Sequence, residues 1–365
     1  MDKIKRFLDI AIPVTACTLR CDYCYITQNH LFEGKLPKFK YSPQYVRKAL
    51  SKERLGGTCL LNMCGAGETL LAPNIAAYVR ELLEEGHYVA IVTNATTTNA
   101  FEEMKTFPRE LLAHLFFKFS YHYTQLKERN LLDRFFSNIR MMRDAGASFT
   151  LEATPSDSWI PYIDEMKRVA IDNVGALNHV TVARDQRDKR RLPILTSMSR
   201  EEYVKTWSVF DSELFDYKMS IFEVKRHEFC YAGAWTLWLD FLTGDARQCY
   251  KSDFHQNIYE DLSRPIEWRA IGHNCKEHHC YNGHSFMALG CIPQLAKDAP
   301  TYAQERNRVC VDGTEWLGPE MKAFMSSRLY ESNKEYNIIE RWWADMKTRH
   351  VGLRNRIISK LLFWK

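Results

Sequence analysis

The sequence predicts an α/β fold: a parallel sheet curling toward a barrel, followed by a smaller α+β region built on a β-hairpin. Strand-like and helix-like stretches alternate six times over about the first 190 residues. Such alternation makes parallel strands joined by right-handed crossovers, with function at the strands' carboxyl ends. Further on, two strand-like runs flank a Gly-containing turn, which is a hairpin signal. Cysteines cluster in both parts, directly after the first strand and again from Cys230 onward.

The elements read in order as follows. Phe7–Thr15 is a buried strand leading into the first cysteine loop, Pro43–Leu55 is helical, and Thr58–Cys64 is the second strand. Pro73–Glu85 has proline near a helix start and apolar residues at helical spacing, and His87–Thr93 is the third strand. Phe101–Leu112 is helical and Leu115–Tyr121 is the fourth strand. Gln125–Ala145 is the clearest helix, with Leu132, Phe135, Phe136, Ile139 and Met142 on one face and Gly146 as its stop. Ser148–Ala153 and Leu177–Ala183 are the fifth and sixth strands, separated by a helix near Ile160–Asp172. The charged run Arg184–Arg191 reads as a solvated loop rather than a phosphate-binding patch, and Glu201–Tyr217 as a further helix. Expected domains are a barrel over 1–190, a helical linker over 191–228, a cysteine-rich domain over 229–320 and a helical segment over 321–365.

Composition narrows the class. At 45% apolar and 26% charged residues the chain is globular and not disordered. No apolar run approaches the roughly 18–20 residues of a membrane span. The C-terminal helix, around Glu340–Lys365, mixes tryptophans with arginines and lysines. It reads as packing on its own domain, with contact to a membrane surface the less favoured alternative. A net charge of +5 suits an acidic electron-transfer partner and gives no sign of nucleic acid. Val14-Thr15-Ala16-Cys17 has the form of a lipoprotein signal, but Asp9 interrupts its apolar core and Pro13 follows. Eleven cysteines at short spacings in a long chain then point to metal binding in a reducing cytoplasm.

Cys17, Cys21 and Cys24 stand at CxxxCxxC spacing, which gathers three thiolates in one loop and supplies no fourth. A cubane iron–sulfur cluster held there keeps one iron without a protein ligand, open to a small molecule. Zinc is the other reading, but a structural zinc needs four ligands, and His30, the nearest candidate, is not at a typical spacing. With the aromatic Tyr23 before the last cysteine, the loop closely resembles that of the radical S-adenosylmethionine (SAM) superfamily. The resemblance covers about the first half of the chain. It implies a partial (β/α)6 TIM-like barrel and a 4Fe–4S cluster whose open iron chelates SAM. It further implies reductive cleavage of SAM to a 5′-deoxyadenosyl radical, which takes a hydrogen atom from the substrate.

A second signature follows the second strand: Cys64-Gly65-Ala66-Gly67-Glu68. Small residues and a carboxylate at a strand end let backbone approach a ligand while Glu68 accepts from an ammonium group. The stretch resembles the family's Gly-Gly-Glu element, with Ala66 where glycine is commoner, and implies contact with the amino group of SAM. Thr93 and Asn94, Ser120 and His122, and Glu152 and Thr154 end the third, fourth and fifth strands. They are candidates for the ribose and carboxylate of SAM, although capping and turns use the same residue types. His122, Tyr121 and Tyr123 are the first candidates for a general acid or base. Cys59 and Cys64 read as buried packing residues.

Cys230 and Cys249 flank the hairpin, and Cys275, Cys280, Cys291 and Cys310 follow. This arrangement resembles the SPASM and twitch auxiliary-cluster extensions of the same superfamily. The later cysteines are too few for two fully cysteine-ligated cubanes, which need eight. The resemblance therefore implies one auxiliary cluster, held by Cys230, Cys249, Cys275 and Cys280. Cys291 reads as a packing residue, with ligand exchange by Cys291 or Cys310 left open. A zinc site using His278, His279 or His284 is the competing reading.

The expected function is hydrogen abstraction from an unactivated C–H bond, with electrons from a flavodoxin or ferredoxin-type donor. The family's base rate favours a ribosomal peptide substrate, to be crosslinked, epimerised or oxidised. The first strand begins within ten residues of the start, leaving no room there for a leader-binding domain. A single auxiliary cluster also resembles members acting on carbohydrates or other small metabolites. A non-catalytic iron–sulfur or zinc module is the alternative from another class.

Overall fold

Strands β1 (Arg6–Ile12), β2 (Cys59–Gly65), β3 (Tyr88–Thr93), β4 (Leu115–Ser120), β5 (Ser148–Ala153) and β6 (His179–Val180) pair in parallel. Their spatial order is 6-5-4-3-2-1, so each crossover steps to the neighbouring strand. β6 and β1 do not meet, which leaves the barrel partial. The computed structural model describes residues 2–250, 252–281 and 283–349. Among them, the sheet has nine strands. β7 (Thr236–Asp240) adds in parallel to the far edge of β1, and β8 (Asp245–Arg247) and β9 (His255–Asn257) continue antiparallel. The predicted hairpin is thus β7–β8, and it extends the barrel sheet instead of forming a sheet of its own.

Several predicted elements are shorter or divided, each for a local reason. β1 stops at Ile12 because Pro13 lacks an N–H for the ladder. The helix expected over Pro43–Leu55 breaks where Ser51 caps a new turn by accepting from Arg54 N at 3.3 Å. Phe101–Leu112 divides at Pro108, and Gln125–Ala145 divides at Asn130, which takes a left-handed φ of 54°. Glu201–Tyr217 divides at Asp211, with Ser212 capping the second piece. β6 has two residues because it pairs only with Glu152 and Ala153.

Two cores cover the two faces of the sheet. Alternate residues such as Ile10, Met63, Ile91, Phe117 and Phe119 pack outward beneath the helices Ile75–Glu84 and Leu132–Ala145. The opposite positions Phe7, Leu60, Tyr88 and Phe116 face inward. There they meet Tyr231, Trp235, Phe286, Tyr302 and Phe324 from the C-terminal half, which plug the amino-terminal end of the barrel. The carboxyl end stays open and polar.

Residues 338–349 are helical, with Trp342 and Trp343 both 54% exposed. The rest of the predicted C-terminal helix, 350–365, lies outside the described residues, as does any membrane contact through it. No helix among the described residues is long and apolar enough to cross a membrane.

Candidate active site

The loop after β1 and the turn after β2 are fastened together by backbone. Ala66 N donates to Ile12 O at 3.1 Å, Gly67 N to Val14 O at 2.5 Å and Glu68 N to Ala16 O at 2.9 Å. Gly67 is required by this contact, because a Cβ there would lie 2.1 Å from the carbonyl oxygen of Ala16. Cys17, Cys21 and Cys24 thereby line one open cleft with Gly65, Ala66, Gly67 and Glu68.

Glu68 is buried, and its carboxylate accepts from Leu70 N at 3.0 Å, Thr93 Oγ1 at 2.5 Å and Asn94 N at 2.7 Å. Burial pushes its pKa up while these three bonds pull it down. Sequence reasoning placed Glu68 as an acceptor for an ammonium group. The carboxylate also braces the β2 turn against the end of β3, which uses three of its roughly four lone-pair sites. Asn94 acts similarly, since its amide donates to Thr18 Oγ1 at 3.0 Å and Cys17 Sγ at 3.6 Å. Thr69 escaped the sequence reading. Its hydroxyl accepts from Gly65 N at 2.8 Å and donates to Val92 O at 2.5 Å, which holds the glycine turn to β3. Leu19, Ile26 and Phe32 are further cleft residues that carried no sequence signal.

Ser120 and His122 line the cleft on the opposite wall. Tyr23 lies behind His122, with its hydroxyl 2.5 Å from Nδ1 and its ring edge-on to Trp159. Tyr121 and Tyr123, expected beside His122, do not join it. Strand parity turns Tyr121 outward, where it stacks on Phe135, while Tyr123 opens the helix Tyr123–Glu128 and packs against Tyr162. Glu152 is likewise not a cleft residue, since it pairs with Arg306 at 3.2 Å inside the barrel.

The donor set suits an iron–sulfur cluster with three protein ligands. Burial pushes all three thiols up, Cys21 to about 12, so a metal is needed to hold them as thiolates.

The C-terminal cysteines form a second group. Cys230 pairs with Gly272 across a short bridge, and Tyr231 N donates to Cys291 O at 3.0 Å. That bond seats Cys291 beside Cys230, and Cys249, Cys275 and Cys280 lie within electrostatic reach of the pair. Cys291, expected as simple packing, therefore belongs to the group. Cys310 is elsewhere, its thiol donating to Val174 O at 3.3 Å. Among the described residues no three His, Cys, Asp or Glu side chains converge on one metal-ion position. A cluster spreads its ligands over several irons. Cys59 is a buried packing residue, as expected, whereas Cys64 faces the barrel interior.

An open α/β barrel with a three-cysteine loop after its first strand and a Glu-bearing glycine turn after its second is the arrangement the sequence resemblance implied. Residues 11–154 match the model of the Radical SAM superfamily, and the chain carries a radical SAM domain over that span. Similar solved structures include Streptococcus suis SuiB bound to S-adenosylmethionine, 14% identical with a TM-score of 0.49. That match covers 71% of this chain and 64% of SuiB, so the chain spans just under two thirds of it. Native anSMEcpe with bound AdoMet and Cp18Cys peptide is 13% identical, with a TM-score of 0.48 and coverage of 72% and 80%. BtrN in complex with AdoMet and 2-DOIA is 14% identical, with a TM-score of 0.36 and coverage of 72% and 82%. No curated protein sequence matches the chain.

Proposed function

We propose that the protein is a radical SAM oxidoreductase or maturase that abstracts hydrogen from an unactivated C–H bond. The observation that carries this reading is the single cleft shared by Cys17, Cys21, Cys24 and Glu68. When bound, the cluster and SAM supply a 5′-deoxyadenosyl radical. The chain's own residues position and exclude. Asn94 and Tyr23 hold the cysteine loop, Gly65–Glu68 seat the methionine end of SAM, and Ser120 and His122 close the wall on the substrate side.

Cys230, Cys249, Cys275 and Cys280 are the proposed ligands of one auxiliary cluster in a SPASM- or twitch-like domain, with Cys291 in their contact shell. A flavodoxin or ferredoxin-type donor and a reducing cytoplasm complete the reading. A ribosomal peptide is the first substrate reading, drawn from the resemblance of the cysteine-rich segment. A carbohydrate or other small metabolite is the second, drawn from the resemblance of a single auxiliary cluster to small-molecule members. The test is release of 5′-deoxyadenosine from SAM by the reconstituted, dithionite-reduced protein under anaerobic conditions. Release above the level of a Cys17→Ala variant supports the reading, and none contradicts it.

A further inference from the structure

The inward face of β4 changes character along its length. Phe116 joins the apolar plug, Ser120 lines the cleft, and Lys118 stands between them. The strand register sets Lys118 beside Val92, itself a cleft residue. Barrel interiors are ordinarily filled by layers of apolar side chains. A lysine at this level therefore needs an electrostatic reason.

Lys118 forms no hydrogen bond or ion pair among the described residues. Glu152, the carboxylate in its field, is already engaged by Arg306 at 3.2 Å. Arg306 is fully buried and also lies 3.9 Å from Glu305. Two more cations share the space. Lys218 donates to the Thr181 hydroxyl, and Arg184 reaches the Tyr281 carbonyl at 3.4 Å. Arg184 and Lys218 also line a narrow pocket beside His284 that reaches Cys280 of the second cysteine group, and all four cations act on His284. Burial pushes Glu305 up to about 8 and Lys218 down, each toward its neutral form, which leaves Lys118, Arg184 and Arg306 facing Glu152, with Asp9 already held by Asn62 and Tyr250. Excess positive charge of this kind is costly inside a protein until an anion joins it.

We propose that this chamber receives an anionic group of the substrate, a carboxylate or a phosphate, held by Lys118 together with Arg184 and Lys218. The anion anchors one end of the substrate inside the barrel and presents the rest to the cleft wall at Ser120 and His122. The inference rests on the proposed function, because it takes the substrate to lie between the two cysteine groups.

The test is calorimetric titration of the full-length, reconstituted protein at constant ionic strength, with inorganic phosphate and separately with acetate. One saturable site is expected for at least one of the two anions. It should weaken at least tenfold in Lys118→Met and again in Arg184→Gln, with iron content equal to that of the native protein. The anion that binds more tightly identifies a phosphate- or a carboxylate-bearing substrate. Should Lys118→Met fail to fold, Arg184→Gln decides alone. Binding of neither anion, or equal binding in native and variant proteins, overturns the proposal. Failure of the radical reading is separable, since it appears as absent 5′-deoxyadenosine in the native protein whatever the titration gives.

Discussion

The hydroxyl of Tyr23 lies 2.5 Å from Nδ1 of His122, within the electrostatic reach of the Cys21 thiol. Burial holds His122 down at about 4, so its ring is neutral at physiological pH. One hydroxyl proton serves one acceptor. A neutral Nδ1 carries either the proton or the lone pair, so this one bond fixes the His122 tautomer and with it whether Nε2 donates or accepts.

A polar hydroxyl close to a cluster ligand favours the more negative, reduced cluster and so raises its reduction potential. Tyr23→Phe should therefore lower the potential of the N-terminal cluster on the order of tens of millivolts, with iron content unchanged. A redox titration followed by electron paramagnetic resonance reads this directly. An unshifted potential would show that the hydroxyl does not engage Cys21.

Gly67→Ala should damage the site more than a methyl group usually does. Its Cβ would stand 2.1 Å from backbone of the cysteine loop, which cannot rotate away. We expect a loss of about 1–3 kcal/mol in stability and a lower iron content after reconstitution. Chemical denaturation and iron analysis of the variant measure both, and native values in both would contradict the close approach.

The C-terminal cysteines should separate by position. Cys291→Ser should alter the spectrum of an auxiliary cluster, because Cys291 lies in the electrostatic field of Cys230, Cys280 and Cys249. Cys310→Ser should leave it unchanged, since that thiol is bonded to Val174. The opposite pattern would reverse the assignment of the group.

His87 should make the fold acid-sensitive. Its Nδ1 accepts from Cys59 N at 3.1 Å and its Nε2 donates to Leu50 O at 2.7 Å, so only the neutral ring satisfies both. Burial lowers its pKa from 6.5 to about 4. Between these values the unfolded chain binds the extra proton, so stability is fully present above 6.5 and falls as pH drops toward 4. His122 and His179 shift in the same direction. Melting temperature should decline over that window, with a shallower slope in His87→Gln.

Much of the barrel was legible because local signals and tertiary needs agree. Ser148–Ala153 is a strand at the predicted bounds, and the cysteine loop leaves β1 as its spacing implied. The pairing of β7 with β1 was not legible, because it joins Phe7 to Thr236 with no local trace in either segment. Tyr121 was misplaced by one residue of strand parity, which sends a side chain to the opposite face, and Tyr123 lies past the strand in the helix Tyr123–Glu128. Glu152 looked like a strand-end ligand because its partner, Arg306, enters from 154 positions away in sequence. Lys118 did leave a signal, as the lone charge in Leu-Phe-Phe-Lys-Phe-Ser.

The most direct measurement is iron and sulfide per chain after anaerobic reconstitution, native against a Cys17/Cys21/Cys24→Ala triple variant. The account predicts about eight irons in the native protein and about four in the variant, one cubane at each cysteine group. About four irons falling to none would remove the auxiliary cluster. No iron in either protein would contradict the radical reading altogether.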